Sequence, residues 1–153
     1  MLIGISPVVS PDLLATMCRM GHGEELVLAD AHFPGHMFCS HVLRADGVRI
    51  AELLDGVLRL FAVDSYVPDP VAMMAAVPGD QLDPSVHERY RAVIDRLAPG
   101  TPPTTFLPRF DFYARARQAT AVVITGETAK YGNILLKKGV TPVPPPGTNS
   151  KEK

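Results

Sequence analysis

Three observations predict a single-domain α/β fold. Short, continuously apolar runs alternate with stretches whose apolar residues recur at helical spacing, the pattern of a sheet covered by helices. Hydrophobic residues fill 46% of the 153 positions and charged residues 20%, the balance of a globular chain with one core. No internal repeat divides the sequence.

The elements follow in order. Ser10-Pro11-Asp12 starts a helix, with serine as N-cap, proline in the first turn and an acid near the positive dipole end. Leu13, Leu14, Met17 and Cys18 share a face, and Gly21 stops the helix. Leu26-Val27-Leu28 reads as a short buried strand ending at Asp30, and Ala31 to His41 as a loop. Asp46-Gly47 opens the clearest helix, where Ile50, Leu53, Leu54, Val57, Leu58 and Phe61 form a core-facing stripe. Val71 to Val77 reads as an apolar strand. Asp83-Pro84 caps a helix with Val86, Tyr90, Val93, Ile94 and Leu97 on one face. Phe106 to Phe110 fits a strand interrupted by Pro108, and Asp111 caps a short helix reaching Gln118. A last pair of strands, Ala121 to Ile124 and Ile134 to Leu136, encloses the polar run Thr125 to Asn133. From Thr141 onward proline and polar residues dominate. The domain is accordingly set at 1–142, with a disordered tail at 143–153.

The totals narrow the function. A net charge of −1 lacks the electrostatic footprint of a nucleic-acid binder. The apolar runs are too short to cross a bilayer, and no basic, cleavable leader opens the chain, so a cytoplasmic protein is expected. Two cysteines, Cys18 and Cys39, suit a reduced compartment. Six methionines hint at apolar surface covered by partner subunits. No GxGxxG or Walker-type glycine loop supports dinucleotide or ATP binding.

The Thr125 to Asn133 run holds the densest set of groups suited to a sugar. An aromatic face packs on a sugar's C–H surface and a carboxamide both gives and takes hydrogen bonds, so Tyr131, Gly132 and Asn133 fit such a ligand. A plain reversal between strands is the competing role. His22, flanked by Gly21 and Gly23 after the first helix, can move a proton near neutral pH, or simply cap that helix. Asp30 can orient an imidazole or accept from sugar hydroxyls, or serve as a turn residue. Arg109 can fork onto two sugar oxygens or form a surface ion pair. Tyr113 is a ligand donor or a core ring. His32, His36 and His41 lack a second cluster and a common helix face, so no metal site is expected.

Several motifs together resemble the ribose pyranase/fucose mutarotase family, its fucose branch in particular. They are Met20-Gly21-His22-Gly23-Glu24, Asp30-Ala31-His32-Phe33-Pro34, Arg44-Ala45-Asp46-Gly47, Asp64-Ser65-Tyr66, Arg109-Phe110-Asp111-Phe112-Tyr113 and the run Thr125 to Val140. The resemblance spans Ile5 to Pro142. His32-Phe33-Pro34 after the aspartate, and glycine between Tyr131 and Asn133, look like the fucose type. The stretch between His36 and His41 departs from relatives, and the proline-rich tail extends past the family pattern.

The resemblance implies a ribose pyranase-like three-layer α/β/α sandwich that interconverts the anomers of a free reducing sugar, with L-fucose expected, without metal or organic cofactor. His22 then matches the proton donor, and Asp30, Arg109, Tyr131, Gly132 and Asn133 match sugar contacts. Asp64 and Tyr113 match further contacts in some members. Asp30, or a water held by Tyr113, would handle the anomeric proton. The resemblance also implies a homo-oligomer, with a decamer expected and the site near a subunit boundary. Activity on ribose and non-catalytic monosaccharide binding are the alternative readings.

Overall fold

Strands and helices alternate along the chain in the computed structural model, which describes residues 2–142; the predicted tail at 143–153 lies outside the described residues. The order is α1 (Pro11–Arg19), β1 (Glu25–Ala29), α2 (Gly35–Phe38), β2 (Val42–Ala45), α3 (Ile50–Leu58), β3 (Val71–Met74), α4 (Pro84–Leu97), β4 (Thr105–Leu107), α5 (Arg109–Gln118), β5 (Ala121–Thr125) and β6 (Ile134–Lys137). The strands form one sheet in the order β2-β5-β1-β6-β3-β4.

Strand alternation sorts the core into two halves. Leu26 and Leu28 of β1 pack with Leu13 and Met17 of α1, Leu53 and Val57 of α3, and Tyr90 and Ile94 of α4. Val27 and Ala29 pack on the opposite face with Phe33, Phe112 and Ala116, and Phe38 of α2 flanks that cluster. Helices on both faces of one sheet make the expected three-layer α/β/α sandwich.

Chain direction positions the site. β5 runs parallel to both β1 and β2, and β3 runs parallel to β4. β6 lies between β1 and β3 and is antiparallel to both. The carboxyl ends of β5, β1, β3 and β4 therefore share one edge with the amino end of β6. Crevices outside strand carboxyl ends are where open α/β sheets bind ligands.

The helix starts at Ser10 and Asp83 agree with the sequence. The Ser10 hydroxyl accepts the Leu13 N–H at 3.2 Å and the Asp83 carboxylate accepts the Ser85 N–H at 2.9 Å. Elsewhere local pattern misled. Asp46-Gly47 is a turn after β2, and α3 begins at Ile50. Phe61 is buried but lies beyond the end of α3. Cys18 is exposed, and the buried polar residue on α1 is Thr16. The strand expected at Phe106 to Phe110 stops at Leu107, because Pro108 instead serves as the N-cap of α5. Asp111 is thus a first-turn acid of that helix, not its cap. Among the described residues, no helix is long and apolar enough to cross a membrane.

Candidate functional site

A cavity of about 300 Å³ opens at the carboxyl edge of the sheet, lined by residues including Asp30, His32, Met74, Arg109, Tyr113, Tyr131 and Asn133. The β1/β6 pairing places Asn133 next to Asp30, across 103 residues of sequence. Asn133 Oδ1 accepts the Asp30 backbone N–H at 2.8 Å, and its Nδ2 donates to Asp30 Oδ2 at 2.9 Å. The other carboxylate oxygen accepts the His32 N–H at 2.9 Å. Asp30 and Asn133 are only 5% and 3% exposed. Burial pushes the Asp30 carboxyl above the usual carboxylate range, and the His32 and Asn133 hydrogen bonds only partly offset this. The result is a fixed carboxyl with a proton affinity above that of a free aspartate.

Tyr131 caps the cavity in a left-handed backbone conformation, φ 60°, and is the only non-glycine residue with positive φ among those described. Such a conformation costs roughly 1–3 kcal/mol and persists only where neighbours enforce it. Here the Gly132 N–H closes a turn onto the Ala129 carbonyl at 3.2 Å. From below, the Tyr90 phenol donates to the Gly132 carbonyl at 3.0 Å. Burial first, then the Glu127 carboxylate, push that phenol far above its ordinary pKa, so it remains a donor.

Much of the polar run is scaffold. Glu127 Oε1 accepts the Thr128 and Ala129 N–H groups at 3.0 and 3.1 Å and the Arg49 guanidinium at 3.0 Å. The Thr125 hydroxyl donates to the Ala29 carbonyl at 2.9 Å. A Cβ at Gly126 would run into the Asp46 carbonyl oxygen, so only glycine fits where this loop crosses the β2–α3 turn. Gly132 is buried and shapes the turn through its backbone.

An aromatic wall faces the Asp30–Asn133 pair. The Tyr113 ring stacks on Phe38 with centroids 4.3 Å apart and meets Phe33 edge-on at 5.7 Å. Arg109, the first residue of α5, holds its guanidinium 5.0 Å over the Phe110 ring at the rim.

His22 and Asp64 lie elsewhere. His22 precedes β1 and Asp30 follows it, so about 16 Å of extended chain separates the two within one protomer. The imidazole beside a carboxylate is instead His22 with Asp64, Nε2 to Oδ2 at 3.2 Å, and His22 is half-exposed while Asp64 is 2% exposed. Asp64 Oδ1 accepts the Tyr66 N–H at 2.9 Å, and the Tyr66 ring lies edge-on to the imidazole at 5.6 Å. Burial pushes the Asp64 carboxyl up, but the Tyr66 N–H, His22 and Lys137 outweigh it and hold it below the usual range. Asp64 thus holds the His22 imidazole through Oδ2 and the Tyr66 N–H through Oδ1.

Residues 3–141 match the profile of the RbsD / FucU transport protein family. The chain belongs to that family. It is 60% identical over 143 residues to the L-fucose mutarotase of Actinobacillus pleuropneumoniae, covering 94% of this chain and 99% of that protein. The L-fucose mutarotase of Haemophilus influenzae strain PittGG is 57% identical over the same coverage. Among solved structures, the Streptococcus pneumoniae fucose mutarotase in complex with L-fucose superposes with a TM-score of 0.88 at 45% identity, covering 92% of this chain and all of that one.

The RbsD / FucU membership bears out the resemblance read from the motifs, and the single-domain three-layer fold with it. Of the residues singled out from sequence, the fold gathers Asp30, Arg109, Tyr113, Tyr131 and Asn133 at one cavity, and His22 with Asp64 at the other end of the sheet. His32, Phe33, Pro34, Met74 and Lys130 also line the cavity and were not singled out as sugar contacts. Position on the sheet is the signal for Met74, which ends β3 at the carboxyl edge. For His32 the signal is the aspartate two residues before it, which accepts its N–H in a tight turn. His36 and His41 do not join them: His36 sits on α2, and His41 Nε2 lies 3.0 Å from the Thr16 hydroxyl.

Proposed function

We propose that this protein is a mutarotase, interconverting the α and β anomers of L-fucose without metal or organic cofactor. What carries the reading is 60% identity across 94% of the chain to an L-fucose mutarotase, in a protein whose cavity holds a buried carboxyl opposite an aromatic wall. L-Fucose is a 6-deoxy sugar, with an apolar methyl group beside its ring oxygen and hydroxyls on its other carbons. The wall of Phe33, Met74 and Tyr113 suits the methyl and C–H face, and Asp30, Arg109, Tyr131 and Asn133 suit the hydroxyls.

Mutarotation requires a proton at the ring oxygen while the anomeric hydroxyl gives one up. The C1–O5 bond then breaks to give the aldehyde, C1–C2 rotates, and O5 adds to the other face as the protons return. Charge and oxidation state are unchanged overall, so positioned acid and base groups suffice, each contributing on the order of 10²–10⁴-fold. His22 is the acid toward the ring oxygen, with Asp64 holding its imidazole. Asp30, or a water held by Tyr113, takes the anomeric proton. The remaining contacts keep the open-chain form in place until closure.

Because His22 and the cavity occupy opposite ends of β1, the reading places the His22–Asp64 pair of one protomer over the cavity of its neighbour. An exposed His22 beside an exposed Tyr66 supports this, and the family resemblance makes a ring-like decamer the expected assembly. The protein acts in the cytoplasm in this view, on a free monosaccharide.

Saturation-transfer NMR with fucose and ribose side by side tests the reaction. Faster exchange of the fucose anomers is expected; exchange of ribose forms alone would move the assignment to a pyranase, and binding without exchange would move it to a sugar-binding oligomer. Mixing His22→Ala protein with Asp30→Asn protein, each lacking one of the proposed proton-transfer groups, tests the shared site. Refolded together they should recover part of the wild-type rate, because some interfaces then carry both intact halves. No recovery would place both halves in one protomer's own site.

A further inference from the structure

A second turn, outside the cavity lining, meets the side chains of Tyr131 and Lys130. Directly after β3, Val77-Pro78-Gly79-Asp80 closes with the Asp80 N–H on the Val77 carbonyl at 3.0 Å. Proline at the second position and Gly79 at φ 87° are the signature of a type II turn. The turn delivers Asp80 to the tip of Tyr131, whose phenol donates to Asp80 Oδ2 at 3.0 Å. Lys130 Nζ sits 3.1 and 3.3 Å from the two carboxylate oxygens, and the Gln81 N–H donates to Oδ1 at 2.9 Å. These three donors, Gln81 first, hold the carboxyl below the usual range, so it is anionic at neutral pH.

We propose that Asp80 is a positioning residue for sugar: by taking the Tyr131 phenol hydrogen, it fixes the ring at the cavity mouth and leaves the phenol oxygen only lone pairs to offer. A phenol has one hydrogen to donate and two lone pairs. With the hydrogen committed to a carboxylate, Tyr131 faces the ligand as an acceptor and selects a sugar hydroxyl that donates. Lys130 neutralises the carboxylate from the solvent side, where 71% of its side chain is exposed. The left-handed backbone at Tyr131 gives the contact a purpose. The Tyr90 and Gly132 bonds fix the main chain of this turn, while Asp80 is the polar group that holds the end of the side chain.

The proposal rests on the mutarotase reading for its ligand, and a double-mutant cycle tests it. Asp80→Ala should lower kcat for fucose about tenfold, and Asp80→Asn, which keeps an accepting oxygen, should stay within about threefold of wild type. On a Tyr131→Phe background the Asp80→Ala change should have no further effect. Equal losses on both backgrounds, or wild-type kinetics in Asp80→Ala, would overturn the proposal. A readout independent of catalysis uses tyrosine labelled with ¹³C at the ring. The Tyr131 resonance should shift in Asp80→Ala and return toward its original position in Asp80→Asn, and an unmoved signal counts against the contact. Failure of the unmodified protein to exchange fucose would instead defeat the mutarotase reading and leave the ring signal to decide the role of Asp80.

Discussion

Two buried aspartates mark the two ends of the sheet, and their surroundings push them in opposite directions. Asp30, at the carboxyl edge, is fixed chiefly by a neutral carboxamide and backbone N–H groups, and burial raises its carboxyl above the ordinary range. Asp64, at the amino edge, is as deeply buried but meets an imidazole and a lysine field as well as a backbone N–H, and its carboxyl is lowered. Environments that drive two titratable groups apart are a mark of divided acid/base roles. Asp30 is suited to exchanging a proton with a sugar hydroxyl. Asp64 is suited to staying an anion that orients His22. On the proposed mutarotase reading, the contrast fits one half of the site at each end of the sheet.

Removing the reactive group of the amino-edge half is the largest way to break this contrast. His22→Ala should slow fucose anomer exchange about 100-fold, equivalent to roughly 2.7 kcal/mol of barrier, with the fold retained and only a modest drop in melting temperature from the unpaired Asp64 oxygen. Exchange at the wild-type rate in saturation-transfer NMR would take His22 out of the mechanism.

On the carboxyl edge the disruption should register in stability and affinity. Asn133→Ala strips partners from both the Asp30 N–H and one Asp30 oxygen in a site nearly closed to water. Leaving such groups unpaired costs about 2 kcal/mol. Chemical denaturation should show that loss, and calorimetry should show weaker fucose binding with a smaller effect on the rate. An unaltered midpoint and affinity would mean the carboxamide does not hold Asp30 in solution.

How far this division was legible in the sequence depends on the range of the interactions. Ser10-Pro11 and Asp83-Pro84 are local signals, and the helices start where they indicate. The apolar runs around Leu26, Val71, Val122 and Leu135 are strands because both their faces are covered. β2 escaped notice because an edge strand that is only partly buried carries no continuous apolar run. α2 escaped because a single turn has too few residues for periodicity. The partnership of Asn133 with Asp30 depends on β6 entering the sheet against the direction of its neighbours, which no local pattern encodes. His22 and Asp30 looked like a pair because they are close in sequence, although an extended strand between them holds them apart. The family motifs named candidate residues without showing their arrangement.

The smallest expected effect sharpens the contrast most directly, because it reads the two carboxyls by sign. A raised folded pKa means that Asp30 holds its proton in the native state at pH values where the unfolded chain has released it. Its contribution to stability is therefore fully present below about pH 4, the ordinary aspartate value, and is lost as pH rises through the folded value. Asp64 has the opposite sign. Its contribution is present above about pH 4 and is lost as pH falls through its lowered folded value. Asp30→Asn cannot titrate and should flatten the decline in stability just above pH 4, whereas Asp64→Asn should flatten the decline below it. Denaturant midpoints of the three proteins at half-unit steps from pH 3 to pH 7 separate the cases. The same slope change in both variants would mean that the two aspartates share one environment and that the division of roles between the sheet's edges is wrong.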